Sequence, residues 1–163
     1  MKKFVSISLL LLASASAHAD FSGQVVKVAD GDTVTVLHNR QQVRVRLGSI
    51  DAPEKRQPFG TRSQQHLSSL VFGKTVRVKE DGKDRYGRTI GVLYVDGSNV
   101  NRQMVGAGMA WAYTDYLNDK AMPLFEFKAR LTRSGLWADA HPVAPWQFRR
   151  NQAAARRAEK AQR

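Results

Sequence analysis

Residues 26–47, VKVADGDTVTVLHNRQQVRVRL, alternate apolar and polar side chains over almost their whole length. Val26 and Val28 precede Asp30-Gly31, and Val34 and Val36 follow it. An Asp-Gly pair between two period-2 runs is the strongest short signal for a β-hairpin. Asn39-Arg40-Gln41 makes a second turn, after which Val43, Val45 and Leu47 alternate with Arg44 and Arg46. The stretch predicts three strands in a meander, the third with one wet face.

A helix follows the meander. Thr61-x-x-Gln64 has the form of a capping box, Leu67, Leu70 and Val71 lie at helical spacing, and Gly73 supplies a stop. Strand character returns over residues 75–79 and 89–95, separated by the polar loop 81–85 and closed by Asp96-Gly97. Val100, Met104 and Ala107 predict a short helix ended by Gly108. Leu124, Phe127, Lys128 and Leu131 predict another ended near Gly135. This order gives an α+β chain in which a five-stranded Greek-key β-barrel of the OB type carries about three α-helices. An open α+β sandwich fits the same periodicity.

The body spans residues 20–138, with a shorter segment on each side. Lys2 and Lys3, the apolar run 4–13 and Ala17-His18-Ala19 form the pattern of a secretory signal peptide over residues 1–19. The run is too short for a bilayer core of about 30 Å, so no stable membrane insertion is expected. Export to the periplasm or the medium is expected instead. On the other side, residues 139–163 form a basic tail: from Arg149 onward six basic residues stand against Glu159 alone. It reads as a solvated helix or a disordered arm, either a plain polar extension or a sequence-blind phosphate anchor.

Lys and Arg number 26 against 14 Asp and Glu, for a net charge of +12. Without residues 1–19 the balance is 24 basic to 14 acidic, a surplus that attracts polyanions but does not by itself cut them. The chain has no cysteine, which excludes thiol catalysis and thiolate metal sites. His18 falls in the leader, and His38, His66 and His141 are scattered without a partner motif.

Acids and arginines gather in three short clusters: Asp30-Gly31-Asp32-Thr33, Arg46 with Asp51-Ala52-Pro53-Glu54, and Asp84-Arg85-Tyr86-Gly87-Arg88. Each alone is an ordinary turn or strand exit. Together they suit phosphodiester hydrolysis, which needs a hard cation, a base for water and positive donors on the charge that builds at phosphorus. Asp32 and Asp51 are oxygen ligands suited to Ca²⁺ or Mg²⁺, and Glu54 can serve as the base. Arg46 and Arg88 offer planar donors that match phosphate oxygens in pairs.

In residue type and order these blocks resemble the staphylococcal (micrococcal) nuclease, or thermonuclease, family. The stretches carrying the likeness are residues 28–34, 45–54 and 84–88, with Val100-Asn101 and residues 106–110 behind them. The resemblance implies a Ca²⁺-dependent hydrolase that cuts DNA and RNA with little sequence preference and leaves 3′-phosphate ends. It implies metal ligation by Asp32, Asp51 and the backbone carbonyl of Ala52, where the family carries threonine. It also implies phosphate binding and transition-state stabilisation by Arg46 and Arg88, and Glu54 as general base. Asp30 would support the metal turn from behind, and Tyr86 and Tyr113 would line the nucleotide pocket. The stretch between Glu54 and Arg88 is shorter than in the prototype, and the basic tail lies outside the likeness. A monomer is expected, with no protein partner implied. A non-catalytic OB module that binds nucleic acid is the alternative from another class, and a basic envelope-associated structural protein is a third.

Overall fold

The computed structural model describes residues 20–114 and 117–162. The leader expected at residues 1–19 lies outside the described residues. The body is built from β1 (Phe21–Val28), β2 (Thr33–His38), β3 (Gln41–Leu47), β4 (Ile50–Asp51), α1 (Gly60–Val71), β5 (Thr75–Lys83), β6 (Thr89–Val95) and β7 (Ser98–Asn99). It continues with α2 (Val100–Gly106), β8 (Trp111–Ala112), α3 (Met122–Leu131), a 3₁₀ turn at Gly135–Ala138, and α4 (Pro145–Ala161). Among the described residues no helix is long and apolar enough to cross a membrane.

Five strands run in the order β3-β2-β1-β5-β6, and a parallel pairing of β3 with β6 closes the sheet on itself. The fold is therefore the five-stranded OB-type barrel, not the open sandwich, and among the described residues it carries four α-helices where about three were expected. The hairpin turns follow local chemistry. Asn39 and Arg40 both adopt positive φ, 47° and 63°, in the two-residue connection of β2 to β3. Such mirror-image turns match the twist of the strands they join.

Val25, Val34, Val36, Val45, Leu47, Val76, Val78 and Leu93 fill the barrel, and Leu67, Val71, Val100 and Met104 from α1 and α2 extend the same core. Two inward faces are decided by the fold and not by local periodicity. Val26 and Val28 alternate with Lys27 in the sequence, yet Val25 is the buried valine of β1 and Val26 is exposed. The register passes from Val25↔Val36 directly to Lys27↔Thr35, so Val26 is the extra residue of a β-bulge and the parity flips there. In α3 the stripe Leu124, Phe127 and Leu131 is 55%, 61% and 74% exposed, while Met122, Phe125 and Ala129 turn to the core. Both sets are spaced i, i+3, i+7, so periodicity alone does not choose between them.

Two boundaries also move. α1 starts at Gly60 behind a left-handed Phe59, with no side-chain cap, so Thr61-x-x-Gln64 is not a capping box. A Cβ on Gly60 would run into the Glu54 carbonyl, and this close approach sets the helix start. β5 continues through Lys83 past a bulge between Glu80 and Gly82, so residues 81–83 are strand, and the loop comprises residues 84–88. The tail is a helix, not a disordered arm: residues 145–161 form α4, largely exposed from Arg149 onward, with Trp146 in its first turn packed on Trp111 and Tyr113.

Candidate active site

The turn after β1, the exit of β3 and the turn between β5 and β6 meet at one end of the barrel. The first turn is seated by Gly31, where a Cβ would collide with the Ser63 side chain of α1 and with Ala52. Asp30 then accepts the Asp32 backbone N–H at 3.1 Å. Asp32 points at the β3 exit, accepting the Ala52 N–H at 3.0 Å and the Thr33 hydroxyl at 3.0 Å.

β4 pairs with β8 through Ile50↔Ala112 and Asp51↔Trp111, which fixes the backbone beneath the second cluster. Asp51 is 1% exposed. Arg46, on the wet face of β3, donates to Asp51 at 2.9 Å and lies 3.5 Å from Asp32. It also donates to the Leu47 and Ile50 carbonyls, each at 3.2 Å. The third cluster is organised by Asp84, which accepts the backbone N–H groups of Tyr86 and Arg88 and the Arg88 Nε at 2.6 Å. Gly87 supplies the positive φ, 75°, that this turn requires.

All nine residues singled out from the sequence line one cavity of about 360 Å³: Asp30, Asp32, Arg46, Asp51, Ala52, Glu54, Tyr86, Arg88 and Tyr113. A second cavity of about 510 Å³ shares Arg46, Arg85, Tyr86, Arg88 and Tyr113, so the two form a continuous groove. Tyr113 is held there by its N–H, which donates to the Ser49 carbonyl at 3.0 Å.

Sequence reasoning missed one member of this cavity. Arg149, from α4, donates to Asp51 Oδ2 at 2.8 Å and to Glu54 Oε1 at 2.8 Å. The aromatic residues that dock its helix are the available signal: Trp146 stacks on Tyr113 with ring centroids 5.4 Å apart, and Phe148 lines a pocket with Phe59 and Trp111.

Burial and mutual repulsion perturb the acidic side chains of the cavity. Burial, and then repulsion from Asp32, pushes the Asp30 carboxyl up to about 6. Burial also pushes Asp51 up, even though Arg149 and Arg46 oppose the shift. Burial acts to lower the Arg46 guanidinium, but Asp32, Asp51 and Asp30 together raise it. An all-oxygen donor set with an excess of buried negative charge fits a hard divalent ion. Among the described residues no three His, Cys, Asp or Glu groups converge on one point. An ion there would meet the carboxylates of Asp32 and Asp51, which both line the cavity.

The chain is similar to known nucleases. Residues 44–139 match the family described as staphylococcal nuclease homologue. The chain is 46% identical over 157 residues to a protein named micrococcal nuclease from Shigella flexneri, covering 90% of each chain. It is 47% identical over 150 residues to a protein of Escherichia coli O157:H7 named uncharacterized endonuclease, covering 91% of this chain and 98% of the relative. A protein from Arabidopsis thaliana named as a staphylococcal-like nuclease is 38% identical over 128 residues, covering 76% of this chain and 40% of its own length.

Proposed function

This chain belongs to the staphylococcal nuclease family, and from that premise we propose that it is a Ca²⁺-dependent, exported endonuclease that cleaves both DNA and RNA and leaves 3′-phosphate ends. That it is an endonuclease hydrolysing phosphodiester bonds follows from the family and its relatives. The ion, the products and the compartment are the proposal. The observation that carries it is the convergence on one cavity of eight acidic, basic and aromatic candidates, from three separate clusters and Tyr113, together with Ala52.

In this reading Asp32, Asp51 and the Ala52 carbonyl hold Ca²⁺, which supplies Lewis-acid polarisation of a phosphate oxygen when bound. Arg46 and Arg88 donate to the non-bridging oxygens, where negative charge grows as phosphorus becomes five-coordinate. Arg46 is preset for this by its carboxylates and carbonyls, and Arg88 by Asp84. Glu54, at the cavity rim with its side chain 43% exposed, takes a proton from water as the water oxygen bonds to phosphorus. The bond from phosphorus to the 5′-oxygen breaks, the 5′-oxygen takes a proton from solvent, and phosphate remains on the 3′ side. Tyr86, 69% exposed, and Tyr113 offer aromatic faces to flanking bases. Backbone and stacking contacts of these kinds carry no base code, which suits low sequence preference.

The test is cleavage of plasmid and single-stranded DNA by the purified protein in Ca²⁺ and in EGTA, with the product ends analysed. Cutting is expected in Ca²⁺, is expected to stop in EGTA, and should yield 3′-phosphate ends. Undiminished cutting in EGTA, or 5′-phosphate products, would refute the corresponding part of the reading.

A further inference from the structure

The catalytic cavity contains a guanidinium that the mechanism above does not use. Arg149 is delivered by α4, which begins at Pro145 after the matched family region has ended at residue 139. Its position is determined by docking of the helix. Trp146 lies nearly parallel to Tyr113, at 11°, and meets Trp111 edge-on at 5.6 Å. Just before the helix, Gln57 donates to the Val143 carbonyl at 2.6 Å. With these anchors set, Arg149 spans a candidate metal ligand and the candidate base. It reaches Asp51 Oδ2 and Glu54 Oε1 at 2.8 Å each, with a longer contact of 3.3 Å to Asp51 Oδ1.

These contacts compete with ligation of a cation by Asp51. Arg46 takes Asp51 Oδ1 and Arg149 takes Oδ2, so both oxygens already face guanidinium groups. A divalent ion on Asp51 would displace the Arg149 Nη2 while Nη1 keeps Glu54 within reach. The released N–H groups would then face the cavity that Arg46 and Arg88 also line. A planar fork that bridges carboxylates is also the shape that matches paired phosphate oxygens.

We propose that Arg149 is a third phosphate-binding arginine of the active site, held on Asp51 and Glu54 until a cation takes Asp51 and then turned to the phosphodiester. The proposal rests on the Ca²⁺ reading above. Its consequence is reciprocal: Arg149 competes with the ion in the free enzyme and assists the phosphate in the complex.

Arg149→Gln separates the two roles, with Arg150→Gln as the control. Arg150 bonds only to Gln147 of its own helix among the contacts described, at 2.7 Å. Ca²⁺ affinity is measured calorimetrically without nucleic acid, and kcat and KM are measured at saturating Ca²⁺. Arg149→Gln is expected to bind Ca²⁺ at least about fivefold more tightly and to lose about 10²-fold in kcat. Arg150→Gln is expected to change neither, and circular dichroism melts report the fold of each variant separately. Unchanged Ca²⁺ affinity would overturn the competition. Unchanged kcat would overturn the phosphate role and leave Arg149 as a counter-ion only. A wild-type protein that cuts DNA without binding Ca²⁺ would instead overturn the Ca²⁺ reading on which the proposal rests.

Discussion

Arg88→Ala is expected to lower the turnover of DNA cleavage by about 10²–10³-fold, the usual cost of removing one donor to a developing oxyanion, and to leave the barrel folded. The side chain makes one ion pair, to Asp84, and Asp84 keeps its bonds from the Tyr86 and Arg88 backbone when that side chain is gone. The turn therefore survives, and the stability cost stays near about 1 kcal/mol, as for other ion pairs close to the surface. Arg46→Ala costs a similar factor in turnover but behaves differently on melting. Its guanidinium pairs with the fully buried Asp51 and approaches Asp32, and removing one partner of a buried pair costs about 3–5 kcal/mol. Arg149 stays on Asp51 and should hold the loss to the lower end of that range. Two arginines with one chemical role thus separate in a thermal melt. Turnover of Arg88→Ala within tenfold of wild type would remove Arg88 from the mechanism.

The second large effect is on stability. Asn101, in the first turn of α2, is 0% exposed. Its Oδ1 accepts the Leu93 N–H at 3.1 Å, and its Nδ2 donates to the Gly48 carbonyl at 3.0 Å and the Gly91 carbonyl at 3.2 Å. One side chain thus joins β6, the exit of β3 and α2. Asn101→Ala strands the Leu93 N–H and the Gly48 carbonyl, whereas Gly91 keeps the Gly48 N–H. At about 1–3 kcal/mol for each of these two orphaned groups, the loss is about 2–6 kcal/mol. That lowers the melting temperature by about 10–15 °C in a domain of this size. Asn101→Asp does not rescue it, because a carboxylate would face two carbonyl oxygens with no proton to give. An alanine variant melting within about 3 °C of wild type would show that water or rearrangement replaces these bonds.

The parts of this molecule visible from sequence are those fixed by neighbours along the chain. Asp30-Gly31-Asp32, Asp51 to Glu54 and Asp84 to Arg88 are turns whose composition and chemistry coincide, so the site residues could be read before their convergence was known. What could not be read was decided across the fold. The Val26 bulge exists only in register with β2, and the inward face of α3 is selected by α2, not by its own spacing. Arg149 meets Asp51 from 98 residues away. In sequence it is one arginine in a basic run, and only Pro145, Trp146 and Phe148 mark that run as the start of a docked helix.

The parallel seam between β3 and β6 bears on how activity appears as the chain folds. Val45 pairs with Thr89, Arg46 with Ile90 and Leu47 with Gly91, contacts between segments about 44 residues apart. Arg46 sits on one strand of this seam, and Arg88 immediately precedes the other. The local β1-β2-β3 meander can form early, whereas the seam carries the loop-closure entropy of everything between its strands. An incompletely closed chain therefore holds two half-sites and no nuclease. On refolding, cleavage should recover no earlier than seam closure and later than any probe confined to the meander. The step that completes the barrel is also the step that arms the enzyme.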